Sequence, residues 1–159
     1  KVSSMKIGIV GAEAAKFTSA TEAAARKVIH GLFYNEIEHG NELPILVSGA
    51  CPLGGIDIWA EEEADRLGLD ELIFPPATRA WATGYKPRNL QIARVSDRVV
   101  CLVVRELPLV FRGMRFSHCY HCAKRPAAER APLHVKSGGC WTAIQAEKLG
   151  KRAEWRVIG

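Results

Sequence analysis

No apolar run in this 159-residue sequence approaches the roughly 20 residues that a membrane-spanning helix requires, so no helix is expected to cross a bilayer. Low-complexity tracts, internal repeats and Pro/Ser-rich linkers are missing too. That argues against a disordered adaptor or a repeat array, and at this length one domain, 5–159, is expected. Charge runs are also lacking. The net charge of +5 is modest and the basic residues are scattered, which speaks against ribosomal-type RNA binding yet suits a phosphate-bearing partner. With no secretory signal ahead of the first apolar segment, we expect a cytoplasmic, reducing location, where five cysteines point to metal rather than to disulfides. Lys1 to Ser4, ahead of Met5, reads as an expression remnant outside the fold.

What is present is organised around Leu46 to Asp57. The apolar run Ile45 to Val47 ends in Ser48-Gly-Ala-Cys-Pro-Leu-Gly-Gly55, and helix-forming residues follow at once. Strand, glycine loop and helix in that order make an anion site at the carboxyl edge of an α/β sheet. Glycines let a ligand approach the main chain, and the helix start directs unpaired N–H groups and a partial positive charge to the same place. A second such loop, Lys136-Ser-Gly-Gly-Cys-Trp-Thr142, lies near the end of the chain.

Taken in order, the patterning predicts strands at Met5–Val10, Ile45–Val47, Leu72–Phe74, Val99–Val104 and Trp155–Ile158. Helices are predicted at Thr18–His39, with Ala20, Ala24, Val28, Leu32 and Ile37 at helical spacing, at Ile56–Leu67, from Pro87, and at Cys140–Leu149. Ala77 to Lys86 is read as a long loop carrying Arg79, Trp81 and Tyr85. Alternation of strands with helices implies an α/β, Rossmann-like parallel sheet of about five strands with helices on both faces. Arg105 to Val135 breaks the alternation and is read as an irregular insert.

The ordered motifs resemble those of the SLOG superfamily, which includes the Smf/DprA proteins and the LONELY GUY phosphoribohydrolases. They are most similar to its small YspA-like branch. The residues concerned are Ser48-Gly-Ala-x-x-Leu-Gly-Gly-Ile-Asp57 with Ala60 and Ala64, then Trp81-Ala-Thr-Gly-Tyr-Lys-Pro-Arg-Asn89, and the closing Gly138-Gly-Cys-Trp-Thr142. The resemblance spans nearly the whole chain apart from the insert. It implies a Rossmannoid that binds nucleotides, nucleotide-derived signals or nucleic acid across both glycine loops. Carried over, the ligand-side residues are Ser48, Gly49, Gly54 and Gly55, with Ser137, Gly138, Gly139 and Thr142 opposite, and Asp57, Arg88 and Asn89 at the polar positions. Arg88 can grip a phosphate bidentately or serve in a surface ion pair, and Asp57 can contact ligand or cap its helix. Relatives that cleave N-glycosidic bonds follow the second loop with glutamates. Here the matching stretch, Gly138-Gly-Cys-Trp-Thr-Ala-Ile-Gln145, carries none, and nothing in the spacing demands that Glu13, Asp57 or Glu147 compensate, so the resemblance favours a sensor or carrier over a nucleotide N-glycosidase. It also carries a mild expectation of a homodimer.

The insert holds Ser117-His-Cys-Tyr-His-Cys122, then His134 and Cys140. Cys119, Cys122, His134 and Cys140 read as C-x2-C-x11-H-x5-C, a spacing able to supply a closed tetrahedral set for a structural zinc. His118 and His121 are alternatives for the fourth ligand. A redox dithiol fits less well, because this C-x-x-C does not follow a strand at a helix start. Cys140 belongs to the second glycine loop, so metal and ligand would be coupled. Cys101 is read as core, and Cys51 as a small residue or a reactive thiol. A second alternative function, binding of single-stranded nucleic acid, rests on Arg79, Trp81 and Tyr85, since aromatics beside basic residues stack on bases. Trp81 serves equally as a lid or as core.

Overall fold

The computed structural model describes residues 4–159, so the reading of Lys1 to Ser4 falls, but for Ser4, outside the described residues. Five strands form one wholly parallel sheet: β1 (Lys6–Gly11), β2 (Ile45–Ser48), β3 (Asp70–Ile73), β4 (Arg98–Val104) and β5 (Arg152–Ile158), in the order β3-β2-β1-β4-β5. Ile7 of β1 lies opposite Leu46 on one side and Arg98 on the other. The chain builds outward from β1 to β3, then crosses back to lay β4 on β1's other edge. The β1/β4 boundary is therefore a topological switch point, where α/β sheets open a crevice at their carboxyl ends.

Among the described residues four α-helices cover the two faces. On one face, α1 (Ser19–His39) and α2 (Ile56–Leu67) bury Ile29, Phe33, Ile56 and Ala60 against Ile7, Ile9, Leu46 and Leu102. On the other, α3 (Lys86–Val95) and α4 (Gly138–Lys148) pack Ile92, Ala143 and Ala146 against Val10, Val99 and Val103. Every residue of β4 is buried, as a strand covered on both faces should be. α1 begins at a reciprocal cap: the Thr21 N–H donates to the Thr18 hydroxyl, and the Thr18 N–H to that of Thr21. Gly68, at φ 70°, closes α2 in the left-handed geometry that favours glycine.

Several boundaries differ from the predicted ones for identifiable reasons. The buried stripe of α1 is Ala25, Ile29, Leu32 and Phe33, while Ala20 and Ala24 face solvent. Alanine populates both sides of a helix and so hides the true face. β5 starts three residues early, at Arg152, because its polar residues are those of an edge strand paired by charge. Arg98 Nε donates to Glu154 at 2.9 Å, and Arg156 Nε to the same carboxylate at 3.1 Å. The segment 77–86 is not all loop, since Trp81–Tyr85 winds as one π-helical turn running directly into α3. α4 begins at Gly138 rather than Cys140, which places both glycines of the second loop in its first turn.

Candidate functional site

At the switch point the loops after β1, β2 and β3, the insert after β4, and the first turn of α4 enclose a cavity of about 560 Å³. Asp57, Arg88, Asn89, Ser137, Gly138, Gly139 and Thr142 line it. Ser48, Gly49, Gly54 and Gly55 do not form its wall; they shape the loop behind it.

That first loop is held from within by α2. Asp57 and Glu61 stand one turn apart on the same helix face and reach back under the loop. Glu61 accepts the Ser48 hydroxyl at 2.6 Å and the Ala50 N–H at 3.1 Å. The second bond anchors Ala50 at φ 46°, an unusual left-handed position for a residue with a Cβ. Asp57 accepts the Cys51 N–H at 3.2 Å; it does not cap α2, whose N-cap residue is Gly55. Gly55 has φ 87°, and a Cβ on it would sit 2.3 Å from the Ala12 carbonyl oxygen. Glycine is needed there because the loop lies directly on the chain leaving β1.

Arg88 is buried at 5% exposure. Its Nη1 donates to the Gly49 carbonyl and lies 3.7 Å from Asp57 Oδ2, and its Nε donates to Asn89 Oδ1 at 2.7 Å. Nη2 makes no protein hydrogen bond among the described residues, and Arg88 lines the cavity. One guanidinium thus ties the first loop to α3 while keeping an amino group free. Burial pushes Asp57 up to about 6, with Arg88 pulling the other way and Glu61 adding to the rise. Burial likewise raises the Cys51 thiol, which argues against a reactive thiolate there.

Opposite lies α4. The Ser137 hydroxyl caps it by accepting the Gly139 N–H at 3.1 Å, and the helix dipole points into the cavity. A Cβ on Gly139 would meet the Gly11 nitrogen at 2.6 Å, so this glycine lets α4 abut the end of β1. Gly139→Ala is expected to destabilise the chain by about 1–3 kcal/mol through overpacking, although Ala usually gains about 1 kcal/mol over Gly inside a helix. Urea denaturation gives the sign, and a stabilised variant would refute the close approach.

Sequence reasoning missed the cations and much of the aromatic wall. Lys16, Lys124 and Lys136 line the cavity with Tyr120 and Trp141. The Lys16 ammonium donates to the Lys136 carbonyl at 2.7 Å, joining the β1 loop to the second glycine loop. Burial lowers Lys16 from the usual lysine range, with Glu13 opposing. Trp81 and Trp141 meet edge to face with centroids 5.2 Å apart, and Trp81 is 43% exposed, so it is not core. The available signal was local: Lys136 directly precedes Ser137-Gly-Gly139.

Beside the cavity, Cys119, Cys122, His134 and Cys140 converge in the interior, with their ligand atoms all within 4.8 Å of one another. Tetrahedral zinc–thiolate geometry calls for sulfurs about 3.8 Å apart, which lies inside that limit. His134 Nδ1 faces the Pro132 carbonyl at 2.6 Å, which leaves Nε2 to serve as ligand, 3.5 Å from Cys140 Sγ. Hydrogen bonds from Cys122 and Cys140 hold Cys119 far below the usual thiol range, and Cys122 is driven up in turn. A buried Cys3His set of this kind could hold a metal ion. His118 and His121 are not in the set. His118 is exposed beside Ser117, and His121 lines the cavity. Cys101 Sγ lies 4.0 Å from Cys140 Sγ, behind the cluster.

Fold and site together define an α/β Rossmann-like protein with a switch-point cavity and, beside it, a buried Cys/His cluster. No family model and no curated protein matches the sequence. Among solved structures, the molybdenum cofactor carrier protein MCP from Chlamydomonas reinhardtii is similar, with a TM-score of 0.57 over 96% of this chain and 76% of that one, at 16% identity. At that identity the likeness is one of fold. Among the described residues no helix is long and apolar enough to cross a membrane.

Proposed function

We propose that this chain binds a nucleotide or nucleotide-derived small molecule in the switch-point cavity, as a carrier or sensor of the SLOG type. In this reading a structural zinc in the Cys119–Cys122–His134–Cys140 set braces the cavity wall. The observation that carries the reading is the pairing of chemistries within one cavity. Lys16, Lys136 and the start of α4 suit an anionic group, and Trp81, Trp141 and Tyr120 suit a flat ring. The volume falls within the roughly 300–1,000 Å³ usual for small-molecule sites. The fold-level neighbour is by name a cofactor carrier, which is compatible with carriage of a small molecule here.

The test is calorimetric titration with the four ribonucleoside 5′-monophosphates, after native mass spectrometry of the protein as purified. We expect one zinc per chain, saturable binding of at least one nucleotide, and about tenfold weaker binding by Lys16→Met, since a charge-assisted contact is worth roughly 1.5–3 kcal/mol. No binding at millimolar concentration would overturn the ligand reading, and a metal-free native protein would overturn the zinc.

A nucleotide N-glycosidase is the second reading. One observation favours it: Asp57 is a buried carboxyl in the cavity wall, pushed up to about 6, where a general acid or base can work. It predicts free base released from a nucleoside monophosphate and loss of that release in Asp57→Asn. Chromatography showing no free base after prolonged incubation would remove it.

A further inference from the structure

A second depression, about 460 Å³, lies on the outer side of α4 against the turns of the insert. His121, Lys124 and Trp141 line both it and the switch-point cavity, so the two share a wall. Its floor is a single helical stripe, Trp141, Ile144, Gln145 and Lys148, at spacings of three and four residues. α4 packs on the sheet through Cys140, Ala143 and Ala146 instead, so the stripe has no part in the core.

The far wall is fixed before any ligand arrives. Arg125 donates to Glu147 at 2.7 Å and to the Glu129 carbonyl, and its guanidinium lies 4.1 Å from the centroid of the Trp155 ring. These contacts occupy its charge and hold the insert turn against α4. Lys124 and Lys148, by contrast, make no ion pair among the described residues. One of these free cations stands at the junction of the two cavities and the other at the outer end. Between them, Ile144 and Trp141 offer an apolar surface, and Gln145 offers an amide that both donates and accepts.

We propose that the outer groove is a second subsite contiguous with the first, and that the ligand is a dinucleotide-type molecule spanning both. Its 5′-phosphate and first base sit in the switch-point cavity, its linking phosphate meets Lys124, and its second base lies on the Trp141–Ile144 surface with Gln145 at its edge. This rests on the nucleotide reading above and adds the ligand's length and second ring. Joining two moieties that bind adjacent subsites raises affinity without any new contact in either.

The experiment compares the four ribonucleoside 5′-monophosphates with the 5′-phosphorylated dinucleotides built from them, by calorimetry at physiological salt on the zinc-loaded chain. The expected result is that at least one dinucleotide binds about tenfold or more tighter than its component mononucleotides. Gln145→Trp fills only the outer groove. It should return that dinucleotide to the mononucleotide level and leave mononucleotide affinity within about twofold, because Gln145 does not line the switch-point cavity. Melting temperature and zinc content check that the variant folds, and the milder Gln145→Ala should show a smaller loss confined to the dinucleotide. Mononucleotide binding with no gain for any dinucleotide overturns the extended site and leaves the inner-cavity reading standing. Equal weakening of mononucleotide by Gln145→Trp overturns it as well. Absence of binding by either class removes both readings. Affinity that keeps rising with each added residue, with a steep salt dependence, replaces the proposal with single-stranded nucleic acid.

Discussion

Cys119→Ser should purify without the metal that we expect in the parent protein, and should bind nucleotide at least about tenfold more weakly, the scale of loss usual when a metal site's supporting interactions are removed. Cys119 and Cys122 bracket Tyr120 and His121, and Lys124 follows two residues later; all three of these intervening or following side chains face the switch-point cavity. Cys140 sits one residue beyond Gly139, in the turn that supplies the opposite edge. A single ion joining Cys119 to Cys140 would therefore set the distance between the two sides of the ligand site. The α1/α2 side of the sheet does not depend on it, because the core there contains none of the four residues, whereas Cys119, Cys122 and Cys140 pack in the core on the α3/α4 side. Loss of metal should accordingly loosen 105–135 and leave the sheet folded. Limited proteolysis should cut within the insert, while far-UV circular dichroism stays close to that of the parent. Unchanged nucleotide affinity in a demonstrably metal-free variant would separate the two sites and defeat the coupling. Global unfolding would show instead that the metal holds the core.

The legibility of this molecule in its sequence was uneven, and the reasons differ by element. Strand β4 was read easily because a strand covered on both faces must be continuously apolar, as Val99 to Val104 is. The Cys/His set was legible because a metal site obeys spacing rules, and the structure brings together Cys119, Cys122, His134 and Cys140. Edge strands were harder to delimit. β5 opens on Arg152, and its charges are used in pairing with Arg98 of its neighbour, so polarity there signals an edge rather than a loop. The cavity's lysines escaped notice because Lys16, Lys124 and Lys136 lie far apart in the chain and converge only through the crossover at β1. Scattered positive charge in sequence is concentrated charge in space. Glu61 escaped for a related reason. Nothing in Glu61-Glu-Glu63 distinguishes the residue that turns inward to hold Ser48 and Ala50 from exposed Glu62, or from Glu63, which pairs with His30 of α1.

The largest effect on stability is expected from Arg88→Ala. Removing the guanidinium leaves the Gly49 carbonyl and the Asn89 carbonyl without their donors, and strands the Asp57 carboxylate in the interior. Breaking a buried pair by deleting one partner costs about 3–5 kcal/mol, which for a chain of this size lowers the melting temperature by about 10 °C. The loss should depend on pH in a direction that identifies its cause. Asp57 titrates at about 6 in the folded chain against an ordinary value of 3.8, so the native state holds this proton more tightly than the unfolded one. Its contribution to stability is complete below the unfolded value and fades as pH rises through about 6, a change of roughly 3 kcal/mol at 1.36 kcal/mol per unit. Without Arg88 the carboxyl rises further, since the one cation opposing burial has gone. The variant should then be most impaired at neutral pH and approach the parent as the solution is acidified towards pH 4. Asp57→Asn combined with Arg88→Met should recover much of the loss, because neither partner then leaves a buried charge behind. Denaturant titrations of the three proteins between pH 4 and pH 8 resolve this. A pH-independent shift of under about 1 kcal/mol in Arg88→Ala, the range of exposed ion pairs, would mean that Arg88 is a surface side chain free to serve the ligand alone.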